Sequence, residues 1–229
     1  MKRFLPLGVL ALIIMLIYAF DIHTYLSFDS LKEHRTFLQQ FVQEQFALAI
    51  VMFFFTYVIV VALSLPGAGI MSITSGFLFG TLLGTAVAMS AATVGATLIF
   101  LIAKTALGES LQKKAGPWLE KMRGGFQENA FNYLLTLRLV PIFPFFIINL
   151  VPAFLGVKLR DYVLATALGV IPGGFVYVSV GTGIGSIFDS GEEFSMGSVV
   201  TPEILIALLG LALLSFVPVI MRFFKKRSS

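Results

Sequence analysis

The sequence predicts an all-α polytopic membrane protein. Its core is an inverted repeat of a re-entrant helix plus a transmembrane helix, with additional flanking helices. Three observations predict this. Of 229 residues, 58% are apolar and 12% charged, and the mean hydropathy is +0.95; a soluble domain carries about 25% charged residues. The stretch from Phe46 to Ala103 contains no charged residue. Two proline- and glycine-containing segments recur, each followed by a helix rich in small residues.

Composition also excludes. There is no cysteine, so disulfides, thiolate metal sites and cysteine nucleophiles are absent. The two histidines, His23 and His34, are too few for a histidine-based metal site without carboxylates. Neither a phosphate-binding Gly-Lys-Ser/Thr loop nor a nucleophile–base pair occurs in the apolar core, so no catalytic residue, metal or cofactor is expected, and the chain is not expected to be an enzyme. Arg222, Lys225, Lys226 and Arg227 supply the whole net charge of +4. The basic balance is therefore a tail and does not indicate nucleic-acid binding.

Residues 1–229 are read as a single integral membrane domain. Phe4 to Phe20 is an apolar run behind Lys2-Arg3 with no small-x-small cleavage site after it, and so a retained helix. Ser30 and Glu33 have capping-box spacing. Leu31, Phe37, Leu38, Phe41 and Val42 then share roughly one helical face, which predicts an amphipathic helix on the membrane, the alternative being an extension of the next span. The uncharged 58 residues from Phe46 exceed the length of two spans, about 20 residues each. The surplus is the segment at about 66–80, with Pro66, Gly69, Gly76 and Gly80, where a helix should break. Broken backbone at membrane depth is tolerated only inside protein or beside a watery cavity. The reading is a re-entrant segment between helices at about 46–65 and 82–104.

Thr105 to Ala130 is mixed in charge, with a Gly116-Pro117 break and an apolar stripe of Leu107, Leu111, Trp118, Met122 and Phe126. The second re-entrant segment is expected at about 138–156, where Pro141, Pro144 and Pro152 forbid a straight span. A helix over Tyr162–Val180 follows, containing Gly169 and Pro172 and ending at the Gly181–Gly185 run. Asp189, Glu192 and Glu193 form an acidic loop, and Pro202 opens a last span at about 203–221.

The two segments correspond. Pro66 precedes Gly80 by 14 residues, and Pro141 precedes Gly156 by 15. Small residues every fourth position (Gly76, Gly80, Gly84, Ala88, Ala92, Ala96; then Ala165, Gly169, Gly173 and, after the interruption at Tyr177, Gly181 and Gly185) let helix backbones approach. A repeat with one crossing inverts its successor, the recurring plan of secondary transporters. The positive-inside rule puts Lys2-Arg3 and the basic tail on one side, whereas five full spans put the termini on opposite sides. Either the first run or the 46–65 run therefore crosses incompletely, or a re-entrant segment crosses fully.

The series Arg138-x-x-Pro141-x-x-Pro144, then Asn149 and Gly156, resembles the DedA superfamily, most closely its VTT-domain branch, the SNARE-associated Golgi proteins. Phe77-Leu-Phe-Gly80 and Gly169-x-x-Pro172 fit the same pattern, and the resemblance covers residues 60–185. It implies two facing re-entrant helices and movement of lipids between leaflets, of phospholipid or polyprenyl phosphate, passive or ion-coupled. Proton-coupled members carry an acidic residue near the first re-entrant segment; this chain has none between Phe46 and Ala103.

Arg138 is the one ionisable side chain well within an apolar segment, at a cost of about 2.5–3.5 kcal/mol on insertion scales. Its expected role is a phosphate-headgroup contact, since guanidinium donates parallel hydrogen bonds; the alternative is snorkelling, or capping carbonyls freed by the prolines. Asn149 either lines the lipid path or supports broken backbone. Lys104, Lys158 and Arg160 are expected interfacial anchors, with headgroup gathering as the alternative, and Tyr177 a packing residue. Thr74, Ser75, Ser90 and Thr93 should bond back to their own helices. Expected partners are membrane lipids with anionic phosphate headgroups and no nucleic acid, with a homo-oligomer compatible. The expected location is a bacterial plasma membrane. A small-solute or ion transporter and a non-transporting assembly factor are the alternative functions.

Overall fold

A computed structural model describes residues 33–65, 67–112, 117–139 and 145–190. The expectations for the first helix, Ser30, Pro66, Pro141, Pro144, Glu192, the last span and the basic tail lie outside them.

Every element among the described residues is an α-helix. Arg35–Glu44 is α1. Its Phe37 is exposed and stacks on Phe41, while Val42, expected on the same apolar face, is buried. Phe46–Ala62 is α2, and Ala68–Phe79 is α3. Thr81–Gln112 is α4, Pro117–Leu139 is α5, Phe145–Phe154 is α6 and Leu159–Ser190 is α7. Apolar segments of Thr81–Thr105 in α4 and Leu159–Gly185 in α7 are long enough to cross a bilayer.

Several boundaries differ from the sequence reading. The segment at 66–80 is not broken inside; Gly69 and Gly76 lie within a continuous helix. The breaks fall at its ends, at Gly67 (φ 155°) and Gly80 (φ 73°), where positive φ requires glycine. The second segment divides similarly. Arg138 belongs to the last turn of α5, and α6 begins at Phe145 and keeps Pro152 inside it. Gly156, at φ 75°, then turns the chain into α7. The run Gly181–Gly185 does not end a helix, because α7 continues to Ser190. A Cβ on Gly181 would lie 1.8 Å from the Ile73 carbonyl oxygen of α3, so this glycine serves close helix packing. Gly76 makes the reciprocal approach to α7, its Cβ position 1.8 Å from the Val178 carbonyl oxygen. Gly169 and Pro172 sit within α7.

The two long helices run antiparallel. At one end Thr81 Oγ1, in the first turn of α4, donates to Thr182 Oγ1 near the end of α7, at 3.1 Å. At the other end Lys104 Nζ donates to the carbonyl of Val157, just before α7 begins, at 2.9 Å. Each short helix packs across the molecule: α3 on α7, and α6 on α4. The small-residue stripe of α4 is buried at Ala88, Ala92 and Ala96, and these alanines let α2 and α7 close on it.

Candidate functional site

Four helices meet at Arg138. Its Nη2 donates to Asn149 Oδ1 of α6 at 3.0 Å and to the Tyr162 hydroxyl of α7 at 3.0 Å. The Tyr162 hydroxyl lies 3.1 Å from the Ala96 carbonyl of α4 and 3.2 Å from Asn149 Oδ1. It has one proton, so it donates to one of these at a time. Asn149 and Tyr162 are completely buried. The Tyr162 ring stacks on Phe100, centroids 4.1 Å apart, and the Phe145 and Tyr162 rings each lie 5.5 Å from Arg138 Cζ.

Local sequence puts these groups together. Gly169 lets α5 reach α7: a Cβ there would come within 2.5 Å of Arg138 Cβ. Three residues into α7, Tyr162 faces inward toward Ala96, where a larger side chain on α4 would hold the helices apart. Pro152 has no N–H for the Ile148 carbonyl one turn back, yet α6 persists because its apolar side chains pack on α4.

The electrostatics are unbalanced. Nε and Nη1 of Arg138 and Nδ2 of Asn149 are buried with no partner among the described residues. No carboxylate acts on Arg138 there either. A buried cation with unused donors is costly until an acceptor arrives. The same residues contain no group of three or more His, Asp or Glu able to hold a metal.

Of the residues singled out in the sequence, Arg138 and Asn149 are brought together, directly bonded. Gly169 supports them from beneath. Gly69, Gly76 and Gly80 belong to the α3 end, where Gly69 packs beside Tyr177 and Gly76 against α7. Tyr177 is half exposed rather than enclosed. Lys104 is partly buried, bonded to Val157 and 5.5 Å from the Phe100 ring centroid, while Lys158 and Arg160 are exposed. Thr74, Ser90 and Thr93 bond back to Ile70, Ala86 and Met89 as expected. Ser75 instead bonds to the Gly84 carbonyl at 2.8 Å, tying α3 to α4 across the Gly80 turn.

Sequence reasoning missed Tyr162 as a site residue. Its signal was a phenol three residues inside an apolar helix, since a buried tyrosine hydroxyl needs a partner. It also missed a buried clamp between α2 and α3, where the Tyr57 hydroxyl lies 2.7 Å from Ser72 Oγ and donates to the Ala68 carbonyl at 2.9 Å.

Comparison with known proteins identifies the family. The family model described as the VTT domain matches residues 65–183, a range that holds Arg138, Asn149 and Tyr162. Transmembrane protein 41 homolog of Dictyostelium discoideum is 30% identical over 86% of this chain and 58% of its own length. Transmembrane protein 41B of mouse is 29% identical over 84% of this chain and 65% of its own, and the human protein of that name 28% identical over the same shares. The chain thus spans about six tenths of the length of these relatives. No solved structure matches. With a family model covering more than half of its length, and with relatives named as transmembrane proteins, the chain belongs to the VTT-domain family of the DedA superfamily and is a membrane protein.

Proposed function

We propose that this protein moves lipids between the two leaflets of a membrane, with Arg138 engaging the phosphate of the headgroup. One observation carries the reading: a guanidinium within apolar helices is held by two neutral acceptors on one nitrogen, while its other two nitrogens have no partner among the described residues. A phosphate oxyanion supplies both the acceptors and the missing negative charge. The acyl or prenyl tail stays in the bilayer.

The architecture supports this reading. The helix order α2–α3–α4 recurs as α5–α6–α7, with antiparallel long helices and each short helix packed on the other unit's long helix. We take this as an inverted repeat and α3 and α6 as its re-entrant helices. Two short helices that do not cross leave a locally thin membrane between them, where a headgroup has a shorter apolar distance to travel. Transport is passive or ion-coupled.

The test is leaflet exchange in proteoliposomes. A trace fluorescent phospholipid is added to the reconstituted protein, followed by an impermeant quencher. Quenching beyond the outer-leaflet half, rising with protein dose and lost in Arg138→Ala at equal folded protein, is expected. Quenching that stops at that half, repeated with a polyprenyl phosphate probe, would overturn the proposal and leave a small-solute transporter or an assembly factor.

A further inference from the structure

Among the described residues, the unpartnered nitrogens of Arg138 are buried. A headgroup must therefore reach it from elsewhere. The end of the site nearest a membrane boundary is the turn between α6 and α7. The apolar segment of α4 ends at Thr105, one residue past Lys104, and that of α7 begins at Leu159. The Lys104–Val157 bond holds the two ends at one level.

Three cations gather there: Lys104, and the exposed Lys158 and Arg160 on either side of Leu159. Asp161, in the first turn of α7, is the carboxylate beside them. Lys104 spends one N–H on Val157, and an ammonium has three. From this turn inward the groups are continuous: Lys104 lies over Phe100, Phe100 stacks on Tyr162, and Tyr162 bonds Arg138. Ala96, the carbonyl partner of Tyr162, is eight residues from Lys104 along α4. At the helical rise this puts Arg138 about 12 Å deeper, close to the middle of a 30 Å hydrocarbon core.

We propose that Lys104, Lys158 and Arg160 form an outer capture station for lipids of net-negative phosphate headgroup, and that Tyr162 separates this station from Arg138. This rests on the lipid-transport reading above. Lys104 docks the phosphate at the membrane boundary. The headgroup then passes the edge of the Phe100–Tyr162 stack, and its oxyanion accepts from Nε and Nη1 of Arg138 while Asn149 and Tyr162 keep Nη2. Zwitterionic headgroups gain less at the first station, because their ammonium meets like charge there. A phosphate oxyanion is also available as free phosphate, but cations set at the rim of apolar helices favour one that carries a lipid tail.

The experiment measures exchange of two fluorescent probes, phosphatidylglycerol and phosphatidylcholine, in vesicles of fixed lipid composition containing the full chain. The wild type should favour phosphatidylglycerol, and added sodium chloride should reduce the preference. Lys104→Gln should lower the ratio by about fivefold, the effect of one basic residue near a membrane surface; Lys104→Arg should restore it. Lys158→Gln with Arg160→Gln alters only exposed side chains and should lower the ratio without loss of folded protein. Inorganic phosphate should inhibit no more than chloride at equal ionic strength.

An unchanged ratio in both the Lys104 and the double variant, in a protein whose exchange still depends on Arg138, would overturn the capture station and leave the transport reading intact. Specific inhibition by inorganic phosphate would overturn the lipid as its ligand. Absence of exchange in the wild type is the separate failure of the transport reading itself.

Discussion

Gly169 lies directly against the stem of Arg138: a methyl carbon on Gly169 would sit only 2.5 Å from Arg138 Cβ. The helix that carries Tyr162 therefore also sets where the guanidinium can be. Gly169→Ala should push α5 away from α7, break the Arg138–Tyr162 bond and cost about 1–3 kcal/mol by overpacking. Thermal unfolding in detergent checks the stability, and leaflet exchange should fall well below wild type even where the protein remains folded.

Tyr162→Phe removes a hydroxyl but keeps the ring on Phe100. The lost bonds to Arg138 and to the Ala96 carbonyl should cost about 1–2 kcal/mol, because buried partners are left unpaired. Tyr162→Ala also opens a cavity and should cost about 3–5 kcal/mol. Unfolding of the two variants separates the hydroxyl from the ring. Equal losses would mean that the ring contributes nothing measurable beyond the hydroxyl.

Asn149→Asp puts a carboxylate on the atom that already accepts from Arg138. The resulting ion pair fills the role proposed for the substrate phosphate. Stability should be retained or raised while exchange falls by at least about tenfold, since one hydrogen bond to a charged partner is worth about 1.5–3 kcal/mol. Exchange at wild-type rates in this variant would argue that Arg138 does not bind the headgroup.

Two glycines of α7 should respond oppositely. Gly181→Ala meets the Ile73 backbone and should destabilise by about 3 kcal/mol or more. Gly173→Ala meets nothing within 4 Å and should be neutral or stabilising by up to about 1 kcal/mol from helix propensity. Melting temperatures of the two variants in the same detergent decide this.

Much of the site was legible in the sequence because charge is rare here. A single arginine in an apolar stretch stands out, and so does an asparagine eleven residues on, among prolines. Tyr162 did not stand out, since aromatic residues are common in this chain and only one with its hydroxyl enclosed matters. Lys104 was legible as a boundary residue from its place at the end of an uncharged run. Its bond to Val157, 53 residues away, was not.

The sequence by itself determined the class of the protein: apolar runs of spanning length require helices, because lipid offers no partner for backbone amides. It also marked Gly80 and Gly156 as the glycines that close the two proline-containing segments, and both adopt in the structure a positive φ that other residues resist. Only the tertiary structure decided which glycines end helices and which bring them together. Gly76 and Gly181 look like breakers along the chain, yet both lie inside helices, each against a backbone carbonyl of the other's helix. Only the fold, likewise, joined Ala96, Arg138, Asn149 and Tyr162. Local pattern sets the length and polarity of each helix, but the partners of a buried polar group are fixed by which helix faces meet, and that is a long-range packing solution.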